Sequence, residues 1–315
     1  MTRVLFDMHT SVTNSLNGKF NNLTRFAECL SRDPAYSVHA VYDRADGASI
    51  PVPYQFLRQW YYPQWGGLEL RLRWALCLAR TDADWLWTEI IPGRHSANPR
   101  WGPSRFTWGE NTVLHVDFQH GDLHDQRKRI RRHRRFHVLT PAQRLDIVEL
   151  GVDRDQVHVI PNPVDIPQFR RDGLERDGTI LYVDGRDSDL RVLYRHIGRE
   201  TPEWRRRLLM IDSDHRVGQE EYVRVLNTAS IAICLTPSGD STTTRLFEFA
   251  AAGLPFVTWP SRGMEPLLPS GTYEISKDEI QWTLDNQESL SKNLKMEAER
   301  FSYEATLMRM KDMFR

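Results

Sequence analysis

The sequence predicts an α/β protein built from two doubly wound parallel sheets, and three observations carry that prediction. Short apolar runs alternate with helical stretches along most of the chain. Near the middle, Pro161-Asn162-Pro163-Val164-Asp165-Ile166-Pro167 interrupts the alternation with a proline-rich stretch of the kind that marks a linker, and the alternation then resumes. A length of 315 residues leaves room for two domains, each burying its own core.

In the first half, residues 4–8 read as a strand, Asn17-Gly18-Lys19 as the punctuation after it, and 20–31 as a helix. Residues 38–42 form a second strand, 74–79 lie in a helix, and 85–87 and 113–118 follow as strands. A strand over 136–140 ends at Pro141, which opens a helix over 142–150 closed by Gly151; 157–160 is the last strand of this half. Beyond the prolines come strands at 179–183, 208–211, 231–235 and 256–258, with helices near 189–197, at 219–229 and at 245–252. The tail from 290 to 315 reads as one long amphipathic helix, bent near Phe301-Ser302-Tyr303. The expected domains are 1–165 and 166–300, with the helix of about 301–315 returning to the first. Two such domains leave a cleft between them, where ligands usually bind.

Composition narrows the function classes. The 42 Lys and Arg balance the 42 Asp and Glu, so no global field draws the protein toward nucleic acid or membrane. Cys29, Cys77 and Cys234 show no CxxC spacing, against a disulfide framework or a zinc site. No apolar run approaches the roughly 20 residues of a membrane span, and Met1-Thr2-Arg3-Val4-Leu5-Phe6-Asp7 reads as a strand start, not a signal peptide, so a cytoplasmic protein is expected. One local block stands out. Residues 127–135, with Arg131, Arg132 and Arg134, place charge all around a helix. Two readings stay open for it: a solvated face, or a patch for an anionic acceptor, a membrane surface with the protein peripheral to it, or nucleic acid. The segment Trp60-Tyr61-Tyr62-Pro63-Gln64-Trp65 is likewise either a packed loop or a stacking platform for sugar or base rings.

The stretch 234–258 is the most informative. Ser241, Thr242, Thr243 and Thr244 are poor helix-interior residues and good caps, and they precede a helical run that Gly253 closes. The first N–H groups of such a helix lack internal partners, and the macrodipole adds partial positive charge there, so an anion is a natural guest. Arg245 adds a full charge. Asp240, before the helix, and Glu248, about one turn in, are two acceptors able to flank one bound polyol. The alternative is an ordinary αβ unit with a Thr-rich cap and a surface Arg–Glu pair.

Several motifs then converge on one family. Thr140-Pro141-Ala142-Gln143 through Gly151 to Val157-His158-Val159-Ile160-Pro161-Asn162-Pro163-Val164-Asp165 resembles the segment that closes the first domain of retaining glycosyltransferases of family 4 (glycosyl transferases group 1), where the common ending is I-P-N-G-V-D. The strand–loop–helix after it is similar to the E-x7-E segment of these enzymes, with Asp240 for the first Glu and Glu248 for the second. Residues 241–248 also resemble the S-x-R-x-F-E variant of spore-maturation-protein-like glycosyltransferases. The resemblance implies a GT-B fold of two Rossmann-like domains facing a cleft. The second would hold a UDP-, GDP- or dTDP-sugar as substrate, with no cofactor required, and the first an acceptor.

Carried over residue by residue, the resemblance gives Glu248 the ribose hydroxyls, Asp240 the sugar hydroxyls, and the amides of Ser241, Thr242, Thr243 and Thr244 the diphosphate. Gly18 sits where the family has its glycine-rich loop, with Asn17 and Lys19 on the acceptor side. His120 resembles the family's histidine near the reacting sugar, and Asp117 is the alternative. Gly185 and Arg186 resemble the G-R strand ending that supplies a diphosphate-binding Arg; the Lys that usually follows is absent, and Arg191 is the nearest substitute. The implied chemistry is retaining and metal-independent, catalysed through Asp240, His120 and Arg186. Two rival readings stand beside it. Asp212-Ser213-Asp214 matches the D-x-D metal site of GT-A enzymes, with Asp187-Ser188-Asp189 a second candidate, and the departures from the motifs also suit a degenerate protein that binds a nucleotide or partner without turnover.

Overall fold

The computed structural model describes residues 1–8, 22–42, 52–56, 82–90, 111–116, 134–183, 208–211, 217–235 and 243–314. The chain divides into two compact units, the second being Pro163–Ala305 and the first the described residues up to Asn162 together with Thr306–Arg315 as far as Phe314.

The first unit is a parallel sheet of β1 (Thr2–Met8), β2 (Tyr36–Tyr42), β3 (Tyr54–Phe56), β4 (Trp85–Ile90), β5 (Thr112–Val116), β6 (Arg135–Val138) and β7 (Val157–Val159). Its order is β3-β2-β1-β4-β5-β6-β7, every pairing parallel. The strand order reverses between β1 and β4, the switch point of a doubly wound sheet. Parallel strands covered on both faces need apolar residues in succession, which is why Val4, Leu5 and Phe6 are all buried. Helix α1 (Asn22–Ser31) packs on β1 and β2. Helix α2 (Pro141–Glu149) starts as its sequence dictates: Thr140 accepts from the Gln143 N–H at 3.1 Å, and Gln143 accepts from the Thr140 N–H at 3.2 Å, a reciprocal cap with Pro141 in the first turn.

Above β4–β6 lies an aromatic cluster. Phe6 stacks on Trp87 with ring centroids 4.9 Å apart, Phe26 of α1 meets His137 edge-on at 4.6 Å, and Phe314 packs on Trp85 and Trp87. Lys311 pairs with Asp33 at 2.6 Å and Arg135 donates to the Met313 carbonyl, fastening the C-terminal residues to this unit. Within the cluster His115 and His137, register partners on β5 and β6, meet Nδ1 to Nδ1 at 2.8 Å. His137 Nε2 lies 2.7 Å from the Ile160 carbonyl, which only accepts, so Nε2 carries the proton. The His137 Nδ1 of a neutral ring is therefore an acceptor, and His115 donates to it from Nδ1.

This pair makes the first unit acid-sensitive. Burial holds His137 down to about 3 from an ordinary 6.5, and burial together with the neighbouring His137 holds His115 well below it. Both rings are neutral when folded and take up protons on unfolding, so their contribution is intact above pH 6.5 and lost progressively below it. Each costs about 1.4 kcal/mol per pH unit in that window. We expect the first unit's unfolding free energy to drop between pH 7 and pH 5, and the slope to flatten in His137→Phe; equal slopes in both proteins would refute this origin.

The second unit is a parallel sheet of β8 (Ile180–Val183), β9 (Leu208–Ile211), β10 (Ile231–Cys234) and β11 (Phe256–Thr258) in the order β11-β10-β8-β9. Here the order reverses between β8 and β10. Helices α3 (Ile166–Phe169), α4 (Gln219–Thr228), α5 (Thr244–Ala252), α6 (Lys277–Asp285) and α7 (Gln287–Glu299) belong to it, and α8 (Tyr303–Met313) begins in it and ends in the first unit. The core joins Leu181, Val183, Phe247, Phe249 and Ala250 to Leu294, Ala298 and Phe301.

One expectation is corrected. The single tail helix is two, because Ser302 caps the Ala305 N–H at 3.2 Å and Phe301 turns inward onto Phe247, its carbonyl taken by the Val164 N–H. The boundary between the two units falls within the proline-rich stretch, where Pro161, Asn162, Pro163 and Val164 are all buried. Helix α6, unforeseen, starts where Ser276 accepts from the Glu279 N–H. The expected helices at 74–79 and 189–197 lie outside the described residues. No helix among the described residues is long and apolar enough to cross a membrane.

Candidate functional site

The site is built on α5. Thr243, extended at φ −113° and ψ 135°, accepts from the Arg245 N–H and starts the helix. Gly253 ends it at φ 68°, a left-handed conformation in which its N–H and that of Leu254 satisfy the last carbonyls. A Cβ at Gly253 would also sit 2.5 Å from the Lys295 side chain. Ala250, Ala251 and Ala252 are small because α7 packs on this helix. The α5 N-terminus follows β10 in a parallel αβ unit, so it opens at the carboxyl edge of the sheet, beside the β8–β10 switch point.

Glu248, in the middle of α5, is 6% exposed. Its Oε2 accepts from the Tyr222 hydroxyl at 2.8 Å, and Tyr222 lies on α4, which packs against α5. Burial and the Glu248 charge push the Tyr222 hydroxyl well up, with Arg245 opposing, so it stays protonated as a donor. Arg245 stands three residues before Glu248, on the same helix face. Thr244 is buried and Thr243 half-buried. Thr258 at the end of β11 donates to the Cys234 carbonyl at 2.7 Å, tying β11 to the end of β10.

Arg176 fixes the spacing of α4 and α5 from behind. Its Nη1 donates to the carbonyls of Leu226 (3.0 Å) and Ala229 (2.6 Å) at the end of α4, and its Nη2 to that of Gly253 (2.8 Å) past α5. One cation thus caps the negative ends of two helix dipoles. Burial pulls it down to about 10, leaving it charged at neutral pH.

The described residues therefore bring together Thr243, Thr244, Arg245 and Glu248 of the expected site. Arg134 is exposed, directly before β6. Asn17, Gly18, Lys19, Asp117, His120, Arg131, Arg132, Gly185, Arg186, Arg191, Asp240, Ser241 and Thr242 lie outside the described residues, as do Asp187, Asp189, Asp212 and Asp214. Sequence reasoning missed Tyr222 and Arg176. Each acts across helices from a position that belongs to no motif.

Comparison with known proteins gives the fold its setting. Residues 186–304 match the family model described as Glycosyl transferase-like. No curated protein matches the chain in sequence. Among solved structures, Anabaena Alr3699/HepE in complex with UDP and glucose is similar over 99% of this chain and 99% of its own, with TM-score 0.68 and 10% identity. Sucrose-phosphate synthase (tll1590) from Thermosynechococcus elongatus is similar over 100% and 98%, with TM-score 0.69 and 12% identity. The lipopolysaccharide outer core galactosyltransferase WaaB, in its apo form, is similar over 99% of each chain, with TM-score 0.63 and 13% identity. The fold shared with these structures is GT-B, and the match to the Glycosyl transferase-like model falls within the second unit.

Proposed function

We propose that the protein is a retaining, metal-independent glycosyltransferase that moves a sugar from a nucleoside-diphosphate donor, held by the second unit, to an acceptor held by the first. The observation that carries this is Glu248, a carboxylate nearly removed from solvent yet fixed in orientation, set on the helix that opens beside the β8–β10 switch point. An acidic side chain so placed suits the paired hydroxyls of a ribose, while the α5 N-terminus with Thr243, Thr244 and Arg245 suits a diphosphate. The UDP and glucose bound by the Anabaena structure make a UDP-sugar the first donor to test.

By their place in the chain, 184–191 and 236–242 continue from the carboxyl ends of β8 and β10. In this reading Arg186, Arg191 and the Gly185 backbone stabilise the leaving diphosphate together with the helix dipole, Ser241 and Thr242 extend the amide cradle, and Asp240 holds the transferred sugar. Gly18 is a donor-binding residue in this reading, and His120 or Asp117 positions the reacting sugar. The departing phosphate takes the acceptor's proton, so no separate base is needed. Asn17, Lys19, Arg131, Arg132 and Arg134 line the acceptor side, where an anionic lipid, glycan or nucleic acid matches the charge of 127–135; the protein then works in the cytoplasm, at a membrane surface when its acceptor is a lipid.

The reading is tested by a thermal-shift screen with UDP-, GDP- and dTDP-sugars in excess chelator. One donor class is expected to raise the melting temperature by mass action, by a few degrees at about 100 times its Kd. A shift that appears only when Mg²⁺ or Mn²⁺ is added back would favour metal-bridged binding through Asp212 and Asp214 instead.

A further inference from the structure

We propose that Tyr222 is a positioning residue for donor binding, its hydroxyl fixing the Glu248 carboxylate in the orientation that receives the ribose hydroxyls. The inference rests on the donor-site reading of Glu248 and adds to it a residue from another helix that no motif contains.

The geometry is specific. Tyr222 lies in the first half of α4, its ring packed against the core of the second unit and its hydroxyl 2.8 Å from Glu248 Oε2. A glutamate on a helix has three side-chain torsions, and a ligand that must freeze them binds more weakly than one that meets a carboxylate already set. The tyrosine does that setting from a ring that packing holds in place. Its proton is retained, because burial and the facing carboxylate both oppose ionisation. The distance between the two helices is held independently by Arg176, whose guanidinium bonds carbonyls at the ends of both. Hydroxyl and carboxylate are thus mounted on two elements clamped to each other, the arrangement that preorganised binding needs.

A purely structural role, in which the tyrosine only satisfies a buried acid, predicts a different outcome, and a double-variant cycle separates the two. The probe is whichever of UDP, GDP or dTDP binds the wild-type protein most tightly, titrated by calorimetry into wild type, Tyr222→Phe, Glu248→Ala and the double variant, well below their melting temperatures. Phenylalanine keeps the packed ring and removes only the oxygen, so the fold is retained. Tyr222→Phe is expected to weaken binding about tenfold in the wild-type background, the scale of one charge-assisted hydrogen bond, and by less than about twofold in the Glu248→Ala background. An equal loss in both backgrounds, or no loss in either, overturns the role of Tyr222 while leaving Glu248 in the donor site. Unchanged affinity in Glu248→Ala overturns the donor-site reading, and the inference falls with it.

Discussion

Glu248→Ala is expected to raise the donor KM by about 10- to 100-fold while leaving kcat within a few-fold of wild type, each hydrogen bond to a charged group contributing about 1.5–3 kcal/mol. The split follows from what the carboxylate would touch. Ribose hydroxyls do not change during transfer, so their contacts bind ground state and transition state alike, and losing them shows in KM. Asp240→Ala is expected to behave oppositely, lowering kcat about 100-fold with little change in KM, because a group on the transferred sugar acts where positive charge develops. Steady-state kinetics with the donor as varied substrate checks both. A kcat effect at Glu248 with a KM effect at Asp240 would reverse the assignment, and wild-type values for both would remove the site.

Arg176→Met is expected to destabilise the second unit by about 2–4 kcal/mol, seen as a lower midpoint in urea unfolding at unchanged slope. Methionine fills much of the volume and keeps the apolar stem, but it donates no hydrogen bond. The carbonyls of Leu226, Ala229 and Gly253 lose their shared donor, and two helix C-termini lose the cation that balances their dipoles. Because Arg176 clamps α4 to α5, the same variant should weaken nucleotide binding through the Tyr222–Glu248 contact, although Arg176 stands at the opposite ends of these helices. Arg176→Lys, which keeps the charge and loses the fork, should recover part of the stability. A Met variant as stable as wild type would show that solvent replaces the guanidinium at no cost.

The fold class was legible because parallel strands buried on both faces leave continuous apolar runs, as at Ile180–Val183 and Ile231–Cys234, and because helix caps are written locally. Thr140-Pro141-Ala142-Gln143 announced α2, and the threonines before Arg245 announced α5. The α6 start is written locally too, in the cap signature Ser276-Lys277-Asp278-Glu279. What could not be read were effects of distant partners. The inward turn of Phe301 depends on Phe247 and Val164, far away in the chain, so the tail looked like one bent helix. Of the site, Glu248 could be read because it sits in a motif. Tyr222 could not, since only the packing of α4 on α5 reveals that its hydroxyl faces that carboxylate. Arg176 belongs to no motif, and only the fold brings two helix ends to it.

The central claim is that the second unit holds a nucleoside diphosphate through Glu248 without a metal. Calorimetric titration of UDP, GDP and dTDP into wild-type protein and Glu248→Ala, both in excess chelator, tests it most directly. The account predicts saturable binding of one nucleotide to wild type and at least about tenfold weaker binding to the variant. Equal affinities in the two proteins, or no binding by wild type until a divalent cation is restored, would contradict it.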